Sequence, residues 1–178
     1  MLDVDGVLHP LNDKHFPDGS TIDEVILRTE EEEEHWEEAG YSTRVLPSEF
    51  VEEKLGLLRR IVTDTGAAIV LSSTWRQQAC SRKAVEIELG KVGLGIVAMT
   101  GSLGAGFYRS DEIWEFVEGE TGKDELEVVF VALDDDDLTL GSAEGKGGLS
   151  PGVNFIRTDK RVGLTEDDAK RAIELLKG

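Results

Sequence analysis

Residues 126–137 read LEVVFVALDDDD, an apolar run that ends abruptly in four aspartates. A short stretch of β-branched and aromatic residues with almost no polar alternation predicts a strand buried on both faces, as in a parallel sheet covered by helices. The acid then falls at the carboxyl edge of that strand. Toward the amino terminus, GIVAMT at 95–100 and GAAIVLSSTW at 66–75 have the same form, and the second ends in small hydroxyl residues. Ser48 is placed to cap a helix whose apolar residues Phe50, Val51, Leu55, Leu58, Ile61 and Val62 follow a helical period until Gly66 stops it. Ala79 to Lys91 and SDEIWEFVEGETG at 110–122, with Ser110 as cap, predict two more helices. NFIRT at 154–158 is a weaker strand, and the closing TEDDAKRAIELLKG is a helix that Thr165 and Asp168 start as a capping box. Strands separated by helices imply an α/β fold, a Rossmann-like doubly wound parallel sheet with helices on both faces.

The chain has 178 residues and no internal repeat, which predicts one domain over 1–178. A hydrophobic fraction of 39% and a charged fraction of 31% suit a soluble globular protein, and no apolar run approaches the ~20 residues of a membrane helix. Aspartates near the start, where a signal peptide would be basic and then apolar, make a cytoplasmic or other intracellular location the expectation. Cys80 is the only cysteine and has no partners at zinc-like spacing, so no disulfide and no catalytic role are expected of it. A net charge of −18 disfavours nucleic acid as a partner, because affinity for phosphate chains comes chiefly from clustered Lys and Arg. It does not exclude a small phosphorylated substrate, since a bound divalent cation and one or two bases can reverse the field inside a cleft. Residues 9–47 include EEEEEHWEE at 30–38 and are expected to form a small acidic flap or lid, with Trp36 as its anchor to the body. His9, His15 and His35 lack metal-like spacing and read as loop residues, His9 being the one near the cleft.

In a parallel sheet of this kind ligands bind beyond the carboxyl ends of the strands. Three polar groups fall at those ends: Asp3 and Asp5 in the opening MLDVDGVLHP, then Ser72, Ser73 and Thr74, then Asp134 to Asp137. Clustered carboxylates repel one another and stay ionised most easily around a divalent cation, and an oxygen-only ligand set favours magnesium over zinc. A carboxylate beside magnesium, a second carboxyl two residues on, a hydroxyl donor and a nearby base suit phosphoryl transfer through an acyl-phosphate. Each feature also has a plainer explanation. DxDG is ordinary in turns, and DDDD fits a solvated loop or a loose calcium contact, with Asp136 and Asp137 as surface residues. Ser72 and Thr74 fit backbone caps, and Trp75 fits core packing as well as a pocket wall. Arg76, near the first turn of the next helix, is a candidate phosphate contact.

DVDGV at 3–7 resembles the first motif, DxDx[TV], of the haloacid dehalogenase-like (HAD) superfamily of phosphatases and phosphotransferases. IVLSSTW resembles the second motif, with the functional hydroxyl placed on Ser73, and LDDDD resembles the acidic fourth. For the third motif, a lone base, Arg109 is chosen over Lys123. The order of VLSSTWR, RSDEIWEF, VALDDDD and a terminal GLT is similar to that of the small HAD domains of RNA-repair proteins and their uncharacterised relatives. This resemblance implies that Asp3 is the nucleophile and Asp5 the general acid and then base. It implies magnesium held by Asp3, Asp134, the backbone carbonyl of Asp5 and Asp135, with Gly6, Ser73, Thr74 and Arg76 around the phosphate and Arg109 offsetting its charge. The central strand of that family has several apolar residues before the nucleophile, whereas here only Met1 and Leu2 precede Asp3, so either the sequence is shortened at its start or the first strand is brief. The competing expectations are a non-catalytic metal- or ligand-binding module and a phosphotransferase or phosphonatase on the same aspartate. Asp5 favours phosphate esters over the last of these.

Overall fold

The computed structural model describes residues 1–10, 50–77, 79–124, 128–142 and 147–178. The flap expected over 9–47 lies outside the described residues apart from His9 and Pro10, and so do Ser48 and the side chain of Cys80. The described chain is α/β. Helix α1 (Glu52–Thr65) leads to strand β1 (Ile69–Leu71), a 3-10 turn (Thr74–Gln77) and helix α2 (Ala79–Lys91). Strand β2 (Ile96–Met99), helix α3 (Arg109–Asp124), strands β3 (Ala132–Asp134) and β4 (Phe155–Arg157) and helix α4 (Glu166–Lys177) follow. No helix among the described residues is long and apolar enough to cross a membrane.

Helix ends follow local chemistry, with two departures from expectation. Helix α1 starts after Phe50, and its N-cap Val51 makes no side-chain cap bond; Glu52 and Glu53 in the first turn instead complement the partial positive charge of the helix start. Gly66 ends it in the left-handed region at φ 71°, its N–H donating to the Val62 carbonyl. Helix α3 begins at Arg109, so Ser110 lies inside the first turn and is not its cap. The Ser110 hydroxyl donates to the Leu140 carbonyl at 2.5 Å, while the Asp111 carboxylate accepts the Tyr108 N–H at 2.9 Å and takes over the capping. In α4, Thr165 and Asp168 form the expected capping box.

Strand β1 pairs in parallel with β2, and β3 pairs in parallel with β4. Leu2 stands between the pairs, bridging in parallel to Leu71 on one side and Leu133 on the other. Its N–H donates to the Val70 carbonyl and its own carbonyl accepts from Ser72, both at 2.9 Å. The flanking residues face the other way: Asp3 N–H donates to Leu133 at 3.0 Å, and the Met1 carbonyl accepts from Leu133 at 3.1 Å. This is the alternation of a parallel ladder, and the parallel contacts run in the order β2, β1, Leu2, β3, β4. The strands are shorter than the apolar runs. Of the described residues 128–137 only Ala132–Asp134 is strand, because 128–131 run on without a pairing partner among the described residues beyond the 2.7 Å bond from the Met1 nitrogen to the Val131 carbonyl.

Alternate residues of the strands feed different clusters, as the pleat requires. Leu133 and Ile156 join Leu2, Val4 and Leu71 in a core that includes Leu55, Leu58 and Ile61 of α1 and Ala169, Ala172 and Ile173 of α4. Ala132 and Phe155 join a second cluster built on Ile113 and Val117 of α3. Full burial of a large aliphatic side chain stabilises by about 1.5–3 kcal/mol, so these two clusters hold the strand ends, and the polar residues that follow them, in place.

Candidate active site

Asp3 leaves the Leu2 bridge at the carboxyl edge, its backbone pinned to β3 and its side chain almost wholly buried. Asp134 ends β3, and its side chain is fully buried. Between these two carboxylates lies the guanidinium of Arg109, the first residue of α3. Its Nη1 is 2.9 Å from Asp3 Oδ1 and 2.7 Å from Asp134 Oδ2, so one nitrogen ties the segment after the Leu2 bridge to β3. The second Asp134 oxygen accepts the Asp136 N–H at 3.0 Å. Asp135 completes the group: ligand oxygens of Asp3, Asp134 and Asp135 lie within 4.8 Å of one another.

Gly6 makes room for that third carboxylate. Its φ is +65°, and a Cβ built on it would stand 2.3 Å from Asp135 Cγ, so this position demands glycine on both counts. Its N–H donates to the His9 carbonyl at 2.8 Å and its carbonyl accepts from Thr158 Oγ1 at 2.8 Å. With both backbone groups engaged, Gly6 has no donor left for a phosphate; it shapes the loop, which corrects the substrate contact expected of it.

Charge and burial set the acid strengths. Burial pushes the Asp3 carboxyl up to about 7, and the neighbouring Asp134 charge adds to this, while Arg109, the Ser73 hydroxyl and the Val4 N–H pull it back. Asp134 is raised by burial against the opposing pull of Arg109, and Asp135 is raised by burial and then by Asp136. Burial alone would weaken the hold of Arg109 on its proton, but the Asp134 and Asp3 charges outweigh it and leave the guanidinium firmly charged. Fully ionised, three carboxylates facing one guanidinium leave two negative charges uncompensated. A hard divalent cation matches both this deficit and the oxygen-only donor set.

The other expected residues divide. Ser73 is buried, its hydroxyl accepting the Trp75 N–H at 3.4 Å and favouring the charged form of Asp3, and Thr74 is exposed at the start of the 3-10 turn. The Asp5 carboxylate lies outside the three-carboxylate group; its Oδ2 accepts from Trp75 Nε1 at 2.8 Å and its Oδ1 lies 3.1 Å from His9 Nδ1. Lys123 is near the far end of α3, a helix whose first residue is Arg109, and it is Arg109 that meets the carboxylates.

Arg76 corrects a second expectation. It is buried, and its Nε donates to the Thr100 carbonyl at 3.0 Å and its Nη1 to those of Ser72 and Ser73 at 2.5 and 2.8 Å. Its Nη2 donates to Gly101 at 3.0 Å and to Glu112 Oε2 at 2.6 Å. A guanidinium has five N–H donors, and all are spent on protein, so Arg76 locks the ends of β1 and β2 to α3 and cannot also hold a phosphate.

Sequence reasoning missed Thr158 and Glu112. Thr158 follows β4 at the same carboxyl edge, and its N–H donates to the Asp134 carbonyl at 2.9 Å; the strand-end rule that singled out the other residues applies equally to it. Glu112 carried no signal, because its partner Arg76 is distant in sequence.

No curated protein and no solved structure is matched by the chain. One family does match, described as "HAD domain in Swiss Army Knife RNA repair proteins", and the match runs over residues 1–169. The order of the motifs, the parallel strand ends and the length of that match agree: the chain belongs to the family of HAD domains of Swiss Army Knife RNA repair proteins.

Proposed function

We propose that this chain is a magnesium-dependent phosphomonoester hydrolase on a Rossmann-like, doubly wound sheet, acting through an aspartyl-phosphate on Asp3. The observation that carries this is Arg109 Nη1 standing 2.9 Å from Asp3 and 2.7 Å from Asp134, with Asp135 in the same group of carboxylates. Magnesium held by Asp3, Asp134, Asp135 and the Asp5 backbone carbonyl would supply charge neutralisation for the phosphoryl oxygens.

In the first half-reaction an Asp3 oxygen attacks phosphorus, the new O–P bond forming as the ester P–O bond breaks. Asp5 gives its proton to the departing alcohol oxygen. In the second, water attacks phosphorus and loses a proton to Asp5, and the Asp3–phosphorus bond breaks to release inorganic phosphate and the free carboxylate. Ser73 donates to a phosphoryl oxygen, and Thr74 at the exposed rim adds a second hydroxyl. Arg109 offsets charge on the transferring group and fixes Asp3 against it. The substrate class we favour is a phosphomonoester of modest charge. The family description speaks of RNA repair, yet the −18 net charge of this chain opposes a polynucleotide held along its surface.

The test is phosphate release from a panel of phosphomonoesters with and without magnesium, including an RNA oligonucleotide with a terminal phosphate, for the wild type and Asp3→Asn. Loss of the nucleophile should cost on the order of 10⁴-fold or more in kcat. Wild-type turnover no higher than that of Asp3→Asn on every substrate would sink the proposal. A preference for the RNA end would keep the chemistry and overturn the substrate class.

A further inference from the structure

Asp5 lies outside the three-carboxylate group, and its carboxylate makes no ion pair with Arg109 among the described residues. Its side chain is 36% exposed, and a half-open aspartate is ordinarily free to change rotamer. Two side chains prevent that here. We propose that Trp75 is the positioning residue for Asp5, its indole N–H holding Oδ2 while His9 closes on Oδ1. This rests on the phosphatase function proposed above and adds what aims its general acid.

Both holders are themselves fixed. The carbonyl of Val4 accepts from the N–H groups of Val7, Leu8 and His9 at 3.2, 2.9 and 3.1 Å, and Gly6 N–H donates back to His9. Residues 4–9 thus form a closed loop that returns the His9 ring beside Asp5. Trp75 lies in the 3-10 turn after β1, its ring edge-on to Phe50 with centroids 5.5 Å apart and packed against the main core. The indole body is therefore partly buried against the core and its N–H is aimed at the carboxylate, 2.8 Å away.

Satisfying an indole is not reason enough for this contact. The Trp114 Nε1 is buried with no hydrogen-bond partner among the described residues, so this fold carries an unpaired indole elsewhere. An indole N–H can only donate, so it fixes Oδ2 as an acceptor, and Oδ1, held beside His9 Nδ1, is the oxygen that carries the proton for the leaving group and takes one from water. Misplacing a reacting group by even ~1 Å can cost ~100-fold in rate, which is the scale on which such a holder acts.

Trp75→Phe keeps the ring against Phe50 and deletes only the N–H. The readout is kcat and KM on two esters, an alkyl phosphate whose leaving group needs a proton and p-nitrophenyl phosphate, whose leaving group does not. The expected result is a ~10-fold fall in kcat on the alkyl ester, less than ~2-fold on the aryl ester, KM unchanged on both, and no further loss when Trp75→Phe is added to Asp5→Asn. A merely structural tryptophan would lower both esters alike, and that result, or additive losses in the double variant, overturns the inference. If the wild type hydrolyses neither ester, the phosphatase function fails and takes the catalytic half of the inference with it. The hydrogen bond itself is then decided by NMR: Asp5→Ala should shift the Trp75 indole N–H resonance, identified by its loss in Trp75→Phe, and an unmoved resonance overturns the contact.

Discussion

The two ends of the same strands are built in opposite ways. At the carboxyl end, the buried Asp3, Asp134 and Arg76 and the partly buried Arg109 and Glu112 are polar groups that answer one another at hydrogen-bond distance. At the amino end, Met1, Leu2, Ile69, Val70, Phe130 and Val131 line an open apolar cleft between the two strand pairs. One end holds its geometry by directional bonds that fail abruptly when a partner is lost. The other holds by contact area, which fails gradually. Substitutions at the two ends should therefore differ in kind as well as in size.

The largest effect is expected from Arg109→Ala. It leaves Asp3 and Asp134 buried side by side without their shared cation, and breaking a buried ion pair from one side costs about 3–5 kcal/mol. Urea unfolding without divalent ions should show that loss, and magnesium should recover part of it. A loss under about 1 kcal/mol would mean that the carboxylates do not depend on the guanidinium.

The same comparison predicts a pH dependence at the carboxyl end. Asp3 titrates near 7 in the folded chain against 3.8 when unfolded, because burial and Asp134 disfavour its charge. The unfolded state therefore releases its proton first, and stability that is complete below pH 3.8 is lost as pH rises toward 7. The urea midpoint of metal-free wild type, taken relative to that of Asp3→Asn, should fall as pH rises over that window. A difference that rises across the window would contradict the buried environment assigned to Asp3.

At the amino end Leu2→Ala should cost about 2–3 kcal/mol, low in the range for a buried leucine because the adjoining cleft lets neighbours relax into the space. That loss should be the same at every pH in the window above. A pH-dependent loss would show that the apolar end and the carboxylates are not separate.

Much of this was legible in the sequence, for reasons that also explain what was not. The apolar runs and the glycine at 66 marked β1, β2 and α1, because burial on both faces and a left-handed stop leave direct traces in residue type. The strand ends then placed Asp3, Ser73 and Asp134 at one edge without any knowledge of contacts. Arg76 escaped because a guanidinium after a strand looks the same whether it faces a phosphate or five protein acceptors. Trp75 escaped in part, since packing against Phe50 and donating to Asp5 are compatible uses of one ring and composition separates neither. The span of β3 was overread, because a strand needs a partner as well as a hydrophobic run.

The smallest predicted effect tests whether the carboxyl end is as fully answered as the comparison says. Ser72 is buried one residue before Ser73, and its hydroxyl has no hydrogen-bond partner among the described residues. An unmade buried hydrogen bond costs about 1–3 kcal/mol, so deleting the hydroxyl removes a penalty and loses no bond. Ser72→Ala should leave stability unchanged or raise it by up to ~1 kcal/mol, with kcat unaffected. Ser73→Ala, which removes the hydroxyl that favours the charged form of Asp3, should lower kcat ~10-fold or more at similar stability. Two adjacent serines with opposite responses would show that this end is specific to the atom, with one hydroxyl directed at the nucleophile and its neighbour spare. Equal responses would mean that the strand end tolerates or requires hydroxyls as a class, and the contrast between the two ends of the sheet would shrink to one of polarity alone.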